Sequence, residues 1–272
     1  MSMSAIGEKT LEPLRGLELL KAQGRILVAL MLRDIRTRFF GSAWGFLIVI
    51  AWPLAHILAL LAVYSVLGRK APYGDSAALW FATGIIPFIC FSYMARMTTY
   101  GIMINRPLLS YPIVKATDII FARAIVECLN SGLVVIITGL IFWSCDIDIM
   151  PADPVEAGFA LLGSMLLGFG LGTMGACIAA VFPIWASAVN LLLIVFWVLS
   201  GVIFVPDALP REFQVPLSYL PLLQCVEWMR SAYYDGYGLS ILDRGYTISW
   251  GVGMLFASLA LERLMRGRIL MG

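Results

Sequence analysis

The chain has 272 residues, of which 61% are hydrophobic and only 13% are charged, and its formal net charge is +2. A typical soluble domain carries roughly 25% charged residues, and a water-soluble fold of this size could not bury so much apolar surface. The composition therefore predicts an integral membrane protein, and the nearly balanced charge argues against a nucleic-acid partner.

The first predicted element is an amphipathic helix over residues 15–40. Its basic residues cluster on one side of a helical wheel and its apolar residues lie opposite: Lys21, Arg25, Arg33 and Arg36 against Leu17, Leu20, Leu27, Met31 and Ile35. This pattern is typical of a helix in the plane of the membrane interface, the alternative being a solvated helix packed on the bundle. Because Asp34 and Arg38 interrupt the apolar side, we expect the helix to bend or end near them. No signal peptide is predicted within residues 1–40.

Six apolar segments are long enough, at about 20 residues each, to cross a hydrocarbon core of about 30 Å. They are predicted at 44–67, 79–101, 118–143, 157–181, 187–205 and 247–264. With the N-terminus inside, 14 of the 19 Lys and Arg residues fall on the inner side. The positive-inside rule therefore places both termini in the cytoplasm. The fold class predicted is an all-α membrane protein forming one domain over 1–272.

The inner connection at 102–117 contains two prolines, Pro107 and Pro112, among exposed apolar residues. A short helix between the prolines could dock into a cleft on a cytoplasmic partner. An ordinary connecting loop would have the same composition, so these residues by themselves leave both interpretations open.

The outer connection at 205–246 is too polar and too rich in proline to cross the membrane, yet it contains apolar stretches and many aromatic residues. Half-helices that enter the membrane and return fit this pattern. Non-helical backbone at that depth is tolerated only when it is buried in protein or lines a cavity. The alternative is a loop lying on the membrane surface.

Small residues recur every four positions along the fourth predicted span: Ser164, Gly168, Gly172, Ala176 and Ala180. Such a stripe lets another helix approach closely, and we expect it to serve packing within one subunit. The Gly-x-Gly-x-x-Gly pattern at 170–175, which overlaps this stripe, is not a nucleotide site, because no strand precedes it.

Sites for chemistry are sparse in this sequence. His56 is the one histidine and has no neighbouring ligands, so no metal site is predicted and a structural role is favoured. Cys145 and Cys225 fall in outer connections, which leaves a disulfide between them open. No phosphate-cradling Gly-x-x-x-x-Gly-Lys-Ser/Thr loop occurs, so the chain itself cannot hydrolyse ATP by that chemistry.

Four blocks of sequence, in order and suitably spaced from about 25 to 265, resemble the capsular polysaccharide ABC-exporter permeases of the Kps type. They lie at 33–41 with Gly45 and 52–56, at 84–88 with 91–92, at 105–111 with 114–115, Asp118 and 122–127, and at 205–210 with 221–222 and 226–227. Pro107 and Ala116 depart from the family's pattern. No block is decisive alone, but together they are fairly specific.

The resemblance implies a half-transporter. Two copies would form the channel, and two copies of a separate subunit, which binds ATP and Mg²⁺, would drive it. The 102–117 connection would be the coupling element that fits into the ATPase, carried by Asn105, Leu108, Leu109 and Tyr111. The N-terminal helix would lie at the interface, and the outer re-entrant helices between the fifth and sixth spans would act as a gate.

The implied substrate is a long, usually acidic capsular glycan on a lipid anchor, exported across the bacterial inner membrane. The machine would also engage a periplasmic co-polymerase and an outer-membrane channel. The sequence does not say which polysaccharide is carried or how it enters.

A polymer must pass without tight binding at any one place, and aromatic faces offer sugar rings apolar contact without fixed hydrogen bonds. The pathway residues hypothesised are Trp44, Trp52, Trp185, Trp197, Phe204 and Tyr219, although interfacial belts are the usual place for Trp. Arg36 and Arg38 could receive the phosphate of a lipid-linked terminus, since the planar guanidinium suits phosphate. Plain binding to anionic lipid is the alternative for that pair.

Other function classes remain to be weighed at this stage. Permeases for O-antigen or teichoic acid differ in cargo but not in mechanism, and a drug or haem exporter of the same superfamily comes next. A membrane-embedded enzyme would need clustered intramembrane His, Asp or Glu residues. A secondary transporter would more often show two related halves, and no internal repeat is present.

Overall fold

The computed structural model describes residues 16–38, 43–68, 70–237 and 241–271. Every regular element in those ranges is helical. The α-helices are α1 (Gly16–Arg38), α2 (Ala43–Val66), α3 (Ala77–Thr99), α4 (Gly101–Ile104), α5 (Ala116–Ser144), α6 (Pro154–Val181), α7 (Ile184–Leu199), α8 (Arg211–Ser218), α9 (Pro221–Tyr233) and α10 (Arg244–Met271). Two 3-10 helices lie at Arg106–Ser110 and Pro206–Ala208.

Four of these helices are long and apolar enough to cross a membrane: α3, α5, α6 and α10 as far as Leu270. They correspond to the segments predicted at 79–101, 118–143, 157–181 and 247–264. Two shorter apolar helices, Ile50–Val66 within α2 and α7, correspond to the remaining two predictions. At 1.5 Å per residue, the 16 residues of α7 span about 24 Å.

The long helices alternate in direction and so define two sides of the molecule. We name these sides after the orientation predicted from the basic residues. The side called inner carries α1, α4 and the connection that runs to the start of α5, and the side called outer carries the 145–153 connection, α8 and α9.

Polar caps fix where the long helices begin. The Ser76 hydroxyl accepts a hydrogen bond from the Leu79 amide at the start of α3. The Asp153 carboxylate accepts from the amides of Val155 and Glu156 at the start of α6, where Pro154 occupies the first helical position. These contacts satisfy amides that have no partner inside the helix.

The centre of the molecule is the contact between α3 and α6, both of which are mostly buried. A Cβ placed on Gly168 would lie 2.5 Å from the carbonyl oxygen of Phe91, and one on Gly172 would lie 2.7 Å from the Cβ of Thr98. The small residues of α6 therefore let the two backbones approach more closely than any side chain would permit. The predicted role of the stripe, packing within one subunit, matches this geometry.

Helix α7 ends six residues before the predicted end of its span at 205. Gly201 adopts a positive φ of 76° there, a backbone conformation that favours glycine and terminates helices. The chain beyond it turns inward, because Val202 is buried and its carbonyl accepts a hydrogen bond from Arg230 of α9.

The outer connection contains two helices of different character. The residues of α8 are exposed or half-buried, and none is fully buried. In contrast, α9 is buried along 222–230 and packs against α3, α6 and α10. The aromatic-rich segment is thus part of the packed body of the subunit on its outer side.

Candidate functional site

On the inner side, α1 is fastened to α5 by buried polar contacts. The carboxylate of Asp34 forms an ion pair with the guanidinium of Arg123, and both residues are less than 7% exposed. The amide of Gln23 donates a hydrogen bond to the Asp118 carboxylate. α1 ends at Arg38, one of the two residues near which the helical wheel predicted a bend or an end. Asp34 lies inside the helix, where Arg123 of α5 compensates its charge.

Asn105 joins α1 to the connection between α3 and α5. Its side-chain oxygen accepts from Nη1 of Arg33 at 3.1 Å, and its side-chain nitrogen donates to the carbonyl of Gly101 at 2.9 Å. Arg123 extends this joint, since its Nε donates to the carbonyl of Met97 near the end of α3 at 3.1 Å. Asn105 is only 9% exposed. Its side chain therefore positions the connection and offers little surface to a partner.

The 3-10 helix of this connection, Arg106–Ser110, contains the first proline, Pro107, and ends before the second, Pro112, so a short helix is present although it does not begin after Pro107 as predicted. Leu108 and Leu109 are half-buried, and Leu109 packs against the apolar cluster beneath it. Tyr111 is 60% exposed. Two exposed apolar residues that sequence reasoning did not single out, Ile104 and Ile113, lie on the same connection. Tyr111, Ile104 and Ile113 form the apolar inner surface, which contains one of the four predicted coupling residues.

On the outer side, Arg230 of α9 is fully buried and holds the turn that follows α7. Its Nη1 donates to the carbonyl of Phe204 at 3.2 Å and to the Glu227 carboxylate at 3.1 Å, and its Nη2 donates to the carbonyl of Val202 at 3.1 Å. The guanidinium carbon lies 4.1 Å from the ring centroid of Trp80 in α3. We call Arg230, Glu227, Trp80 and Tyr237 the outer polar cluster.

The second carboxylate oxygen of Glu227 accepts from the hydroxyl of Tyr237 at 2.9 Å. Burial raises the pKa of the Glu227 carboxyl, and the nearby Arg230 and Tyr237 act in the opposite direction. Gly84 of α3 leaves the space that the cluster needs, because a Cβ there would lie 3.0 Å from Nη2 of Arg230. One buried arginine therefore connects α3, α9 and the turn after α7.

A second outer cluster ties together the starts of α6 and α10. The Glu156 carboxylate accepts from the indole nitrogen of Trp228 at 2.6 Å and from Nη1 of Arg244 at 2.9 Å. Glu156 and Arg244 lie 88 residues apart in the sequence. Their contact shows that the outer ends of three helices form one polar layer.

The predicted pathway aromatics are not brought together within one copy of the chain. Trp52 is 68% exposed on α2 and lines a cavity toward the inner side. Trp185 and Trp197 lie on α7, toward its beginning and end, respectively. Phe204 follows the α7 turn and Tyr219 follows α8, where its carbonyl accepts from the hydroxyl of Tyr246. The pathway role of these residues stays a prediction, as does that of Trp44, whose side chain lies outside the described residues.

The remaining predicted residues occupy peripheral positions. Arg36 is exposed on α1, and Arg38 is the last residue of that helix, with a side chain outside the described residues. His56 is on an exposed side of α2. Cys225 is fully buried in α9 while Cys145 is exposed, and both are free, so the open question of a disulfide is answered against it.

Arg230 and Asp34 are the main residues whose roles sequence reasoning missed. Arg230 lies within the outer connection predicted at 205–246, where it was given no role, and Asp34 was taken as a break in the apolar side of α1. For Arg230 the available signal was its place directly after Trp228 and Met229, which indicates a buried partner without identifying it, whereas Asp34 lies between Arg33 and Arg36 and carries no such signal.

Known proteins resemble the chain along most of its length, although no family profile matches it. The polysialic acid transport protein KpsM of Escherichia coli is 30% identical over 237 residues, which cover 86% of this chain and 91% of that protein. The capsule polysaccharide export inner-membrane protein CtrC of Neisseria meningitidis serogroup B is 26% identical over 245 residues, covering 90% and 92%. The corresponding protein BexB of Haemophilus influenzae is 22% identical over 244 residues, with the same coverage.

Proposed function

The chain belongs to the family of capsule polysaccharide export inner-membrane proteins, and we propose that it is the permease subunit of an ATP-driven exporter of lipid-linked capsular polysaccharide. The observation that carries this proposal is the 30% identity to KpsM across 86% of the chain. The chain is a transporter subunit of the inner membrane, and the ATP is hydrolysed by a separate protein.

Six crossings complete the proposed topology: the four long helices together with α2 and α7. Both termini are cytoplasmic in this arrangement, since the inner side carries most of the basic residues. α8 and α9 form the outer gate, and the fully buried Arg230 links α9 to the turn after α7.

The exporter contains two copies of this chain. Support comes from the closeness of α3 and α6, whose glycines leave no room even for a methyl group at their contact. A hydrated polymer could not pass through such a centre. The conduit therefore lies between two copies, where the pathway aromatics of each would face the other.

Two ATP-binding subunits dock on the inner side, and the apolar inner surface is their site. Exposed tyrosine and isoleucine side chains on a short, well-anchored connection suit a cleft on a soluble partner. Leu109 packs the 3-10 helix against the apolar cluster beneath it, and Asn105 fixes it to α1. A movement of the docked ATPase would thus be transmitted to α1, α3 and α5 together. The periplasmic co-polymerase and the outer-membrane channel complete the machine.

Complementation tests the proposed function directly. A bacterial strain that lacks its capsule permease, supplied with this chain and its matching ATPase, should regain surface polysaccharide on immunoblots of intact cells. A matched strain with the same permease and an ATPase whose nucleotide-binding lysine is replaced should show no surface polysaccharide. Surface polysaccharide in that second strain, or its absence from both although the chain is present in the membrane, would contradict an ATP-driven capsule permease.

A further inference from the structure

A cavity of about 250 Å³ lies on the outer side, between α3, α5, α6 and α9, and we call it the outer cavity. Three of these helices each line it over seven residue steps: 79–86 of α3, 135–142 of α5 and 154–161 of α6. Seven steps of an α-helix rise about 10 Å. A volume of about 250 Å³ over that depth leaves a cross-section of about 25 Å². The outer cavity is therefore a slot with the width of a single extended hydrocarbon chain.

Two glycines leave the opening of this slot. A Cβ on Gly158 of α6 would meet no atom of another element within 4 Å, and a Cβ on Gly139 of α5 would meet only Cδ1 of Ile149, at 3.1 Å. The residues that follow these glycines, Leu140 and Phe159, are 57% and 51% exposed. Both helices are long and apolar enough to cross a membrane. The opening therefore lies on a surface that faces the hydrocarbon of the bilayer.

The hydroxyl groups deep in the outer cavity already have partners. The Thr83 hydroxyl donates to the carbonyl of Trp80 at 2.7 Å, and the Thr138 hydroxyl donates to the carbonyl of Val134 at 2.8 Å. Among the lining residues that the structure describes, no side chain is charged. Water or a sugar would find few hydrogen-bonding partners there. An empty slot would deprive its walls of dispersion contacts, so hydrocarbon is the chemistry that fits.

The outer end of the slot has a more polar character. Tyr233 of α9 lines it and is half-buried. The Asp153 amide donates to the carbonyl of Ala232 at 2.9 Å, which places Tyr233 level with the start of α6. A tyrosine ring with an apolar body and a polar tip suits the boundary between hydrocarbon and headgroups. A chain in the slot would thus have its polar end beside Tyr233.

Two sources could supply such a chain: a phospholipid of the bilayer, or the lipid anchor of the exported glycan. The described residues around the outer cavity include none from α2 or α7, the helices that carry the hypothesised pathway residues Trp52, Trp185 and Trp197. A lipid of the surrounding bilayer reaches the opening between α5 and α6 directly. These positions favour the phospholipid.

We propose that the outer cavity binds one acyl chain of a bilayer phospholipid, with the ester groups of that lipid beside Tyr233. The chain packs against Met229 of α9, which is only 3% exposed. A bilayer lipid thereby supports α9 from the side of α5 and α6. The binding is independent of what the chain exports; only the assignment of the site to the outer leaflet rests on the proposed function.

Photolabelling of the full-length chain tests this site. The protein is reconstituted in nanodiscs of phosphatidylethanolamine and phosphatidylglycerol that contain phosphatidylethanolamine with a diazirine in the middle of one acyl chain. Peptide mass spectrometry then locates the label. Met229 is the diagnostic residue, because lipid on the outside of the helices cannot reach a side chain that is 3% exposed. Met229 should be labelled in the wild type, and its absence from the labelled residues would overturn the proposal.

Two variants fill the slot from opposite sides. Gly158→Leu should lower the label on Met229 to about a tenth, because its side chain occupies volume that the acyl chain needs. Gly139→Leu should act in the same direction from α5. Gly132→Leu is the matched control: this half-buried glycine of α5 also has nothing within 4 Å but does not line the outer cavity. Wild-type labelling in both filling variants would contradict the site.

Thermal unfolding gives a second measurement and shows whether each variant is folded. Phosphatidylethanolamine added to the delipidated protein should raise the unfolding temperature of the wild type and of Gly132→Leu, because a ligand that binds only the folded state stabilises it. The increase should be smaller for Gly158→Leu. An equal increase for all three proteins would mean that the lipid acts elsewhere on the surface.

A single-chain alkyl glucoside with a diazirine in its chain distinguishes the two sources. Labelling of Met229 by this glycolipid but not by phosphatidylethanolamine would assign the slot to the anchor of the glycan and overturn the phospholipid assignment. Photolabelling requires no export, so the two proposals fail separately. A chain that restores surface polysaccharide without label on Met229 contradicts the lipid site alone, whereas a labelled chain that fails complementation contradicts the permease function alone.

Discussion

Arg230 brings a formal charge into the apolar interior on the outer side of the subunit. Its guanidinium has acceptors in Glu227 and in the carbonyls of Val202 and Phe204, and it lies over the ring of Trp80. A buried charge with several such partners is tolerated, whereas removal of one member leaves the others unsatisfied. Removal of any one member should therefore destabilise the whole outer polar cluster.

Arg230→Met should lower the free energy of unfolding by about 3–5 kcal/mol, because it leaves the Glu227 carboxylate buried without its cation. Thermal unfolding of the purified protein, followed by tryptophan fluorescence, measures the effect. Arg211→Met on the exposed α8 is the matched control and should shift stability by less than about 0.5 kcal/mol. Equal unfolding temperatures for the two variants would refute the structural role of Arg230.

At the scale of elements, the contact between α3 and α6 and the contact between α1 and α5 are stabilised by different interactions. α3 and α6 meet through backbone and small side chains, where dispersion forces depend on close approach. α1 and α5 meet through a buried ion pair and hydrogen bonds. The first contact is sensitive to added volume and the second to lost charge, which gives each a distinct test.

Gly168→Ala should destabilise the protein by about 1–3 kcal/mol, because its new methyl group would overlap the carbonyl oxygen of Phe91. Gly158→Ala makes the identical change in the same helix at a position with nothing within 4 Å. It should stabilise the helix by about 0.5–1 kcal/mol. Unfolding curves of both variants decide the question, and a gain in stability for Gly168→Ala would show that the helices are less closely packed than described.

Asp34→Leu should release α1 from α5, since it leaves the Arg123 guanidinium buried without its carboxylate. A loss of about 3 kcal/mol would raise amide hydrogen exchange across residues 16–38 roughly a hundredfold. Exchange in α6 should be unchanged, which serves as the internal reference. Lys21→Gln, an exposed change on the same helix, should leave exchange at the wild-type rate. Unaltered exchange in Asp34→Leu would mean that the ion pair with Arg123 does not hold α1 in place.

At the scale of the whole molecule, the proposed function assigns separate tasks to the inner and outer sides. The inner side combines an exposed apolar surface with a buried joint that joins α1, α3 and α5. The outer side has buried charges and two short helices. An exporter needs such a division, because energy from ATP enters at one side and the polymer leaves at the other.

Tyr111→Ala should weaken association with the ATPase about tenfold, as truncation of an aromatic anchor commonly does. Co-purification from membranes and a binding assay with the isolated ATPase measure this. Val66→Ala is the control, because Val66 is 87% exposed at the outer end of α2 and cannot reach the same partner. Equal association of both variants would exclude the apolar inner surface from coupling.

Much of the architecture followed from local patterns. The bilayer as solvent, the positions of the long helices and the stripe on α6 were predictable, because hydropathy and periodicity are properties of contiguous residues. The coupling role of 102–117, which the resemblance implied, stays a prediction, and the segment does contain a short 3-10 helix. These are the features for which neighbours in sequence are also neighbours in space.

The partners of charged residues were decided only by tertiary structure. Arg123 has Glu127 within one helical turn, yet its ion pair is with Asp34, 89 residues away. Arg230 reaches carbonyls 26 and 28 residues before it, across a turn that depends on the positive φ of Gly201. Sequence alone determined the solvent and the positions of the four long apolar helices, because these depend on the composition of single segments. The fold decided the joint, the outer polar cluster and the outer cavity, because each forms only when separate helices bring their side chains into contact.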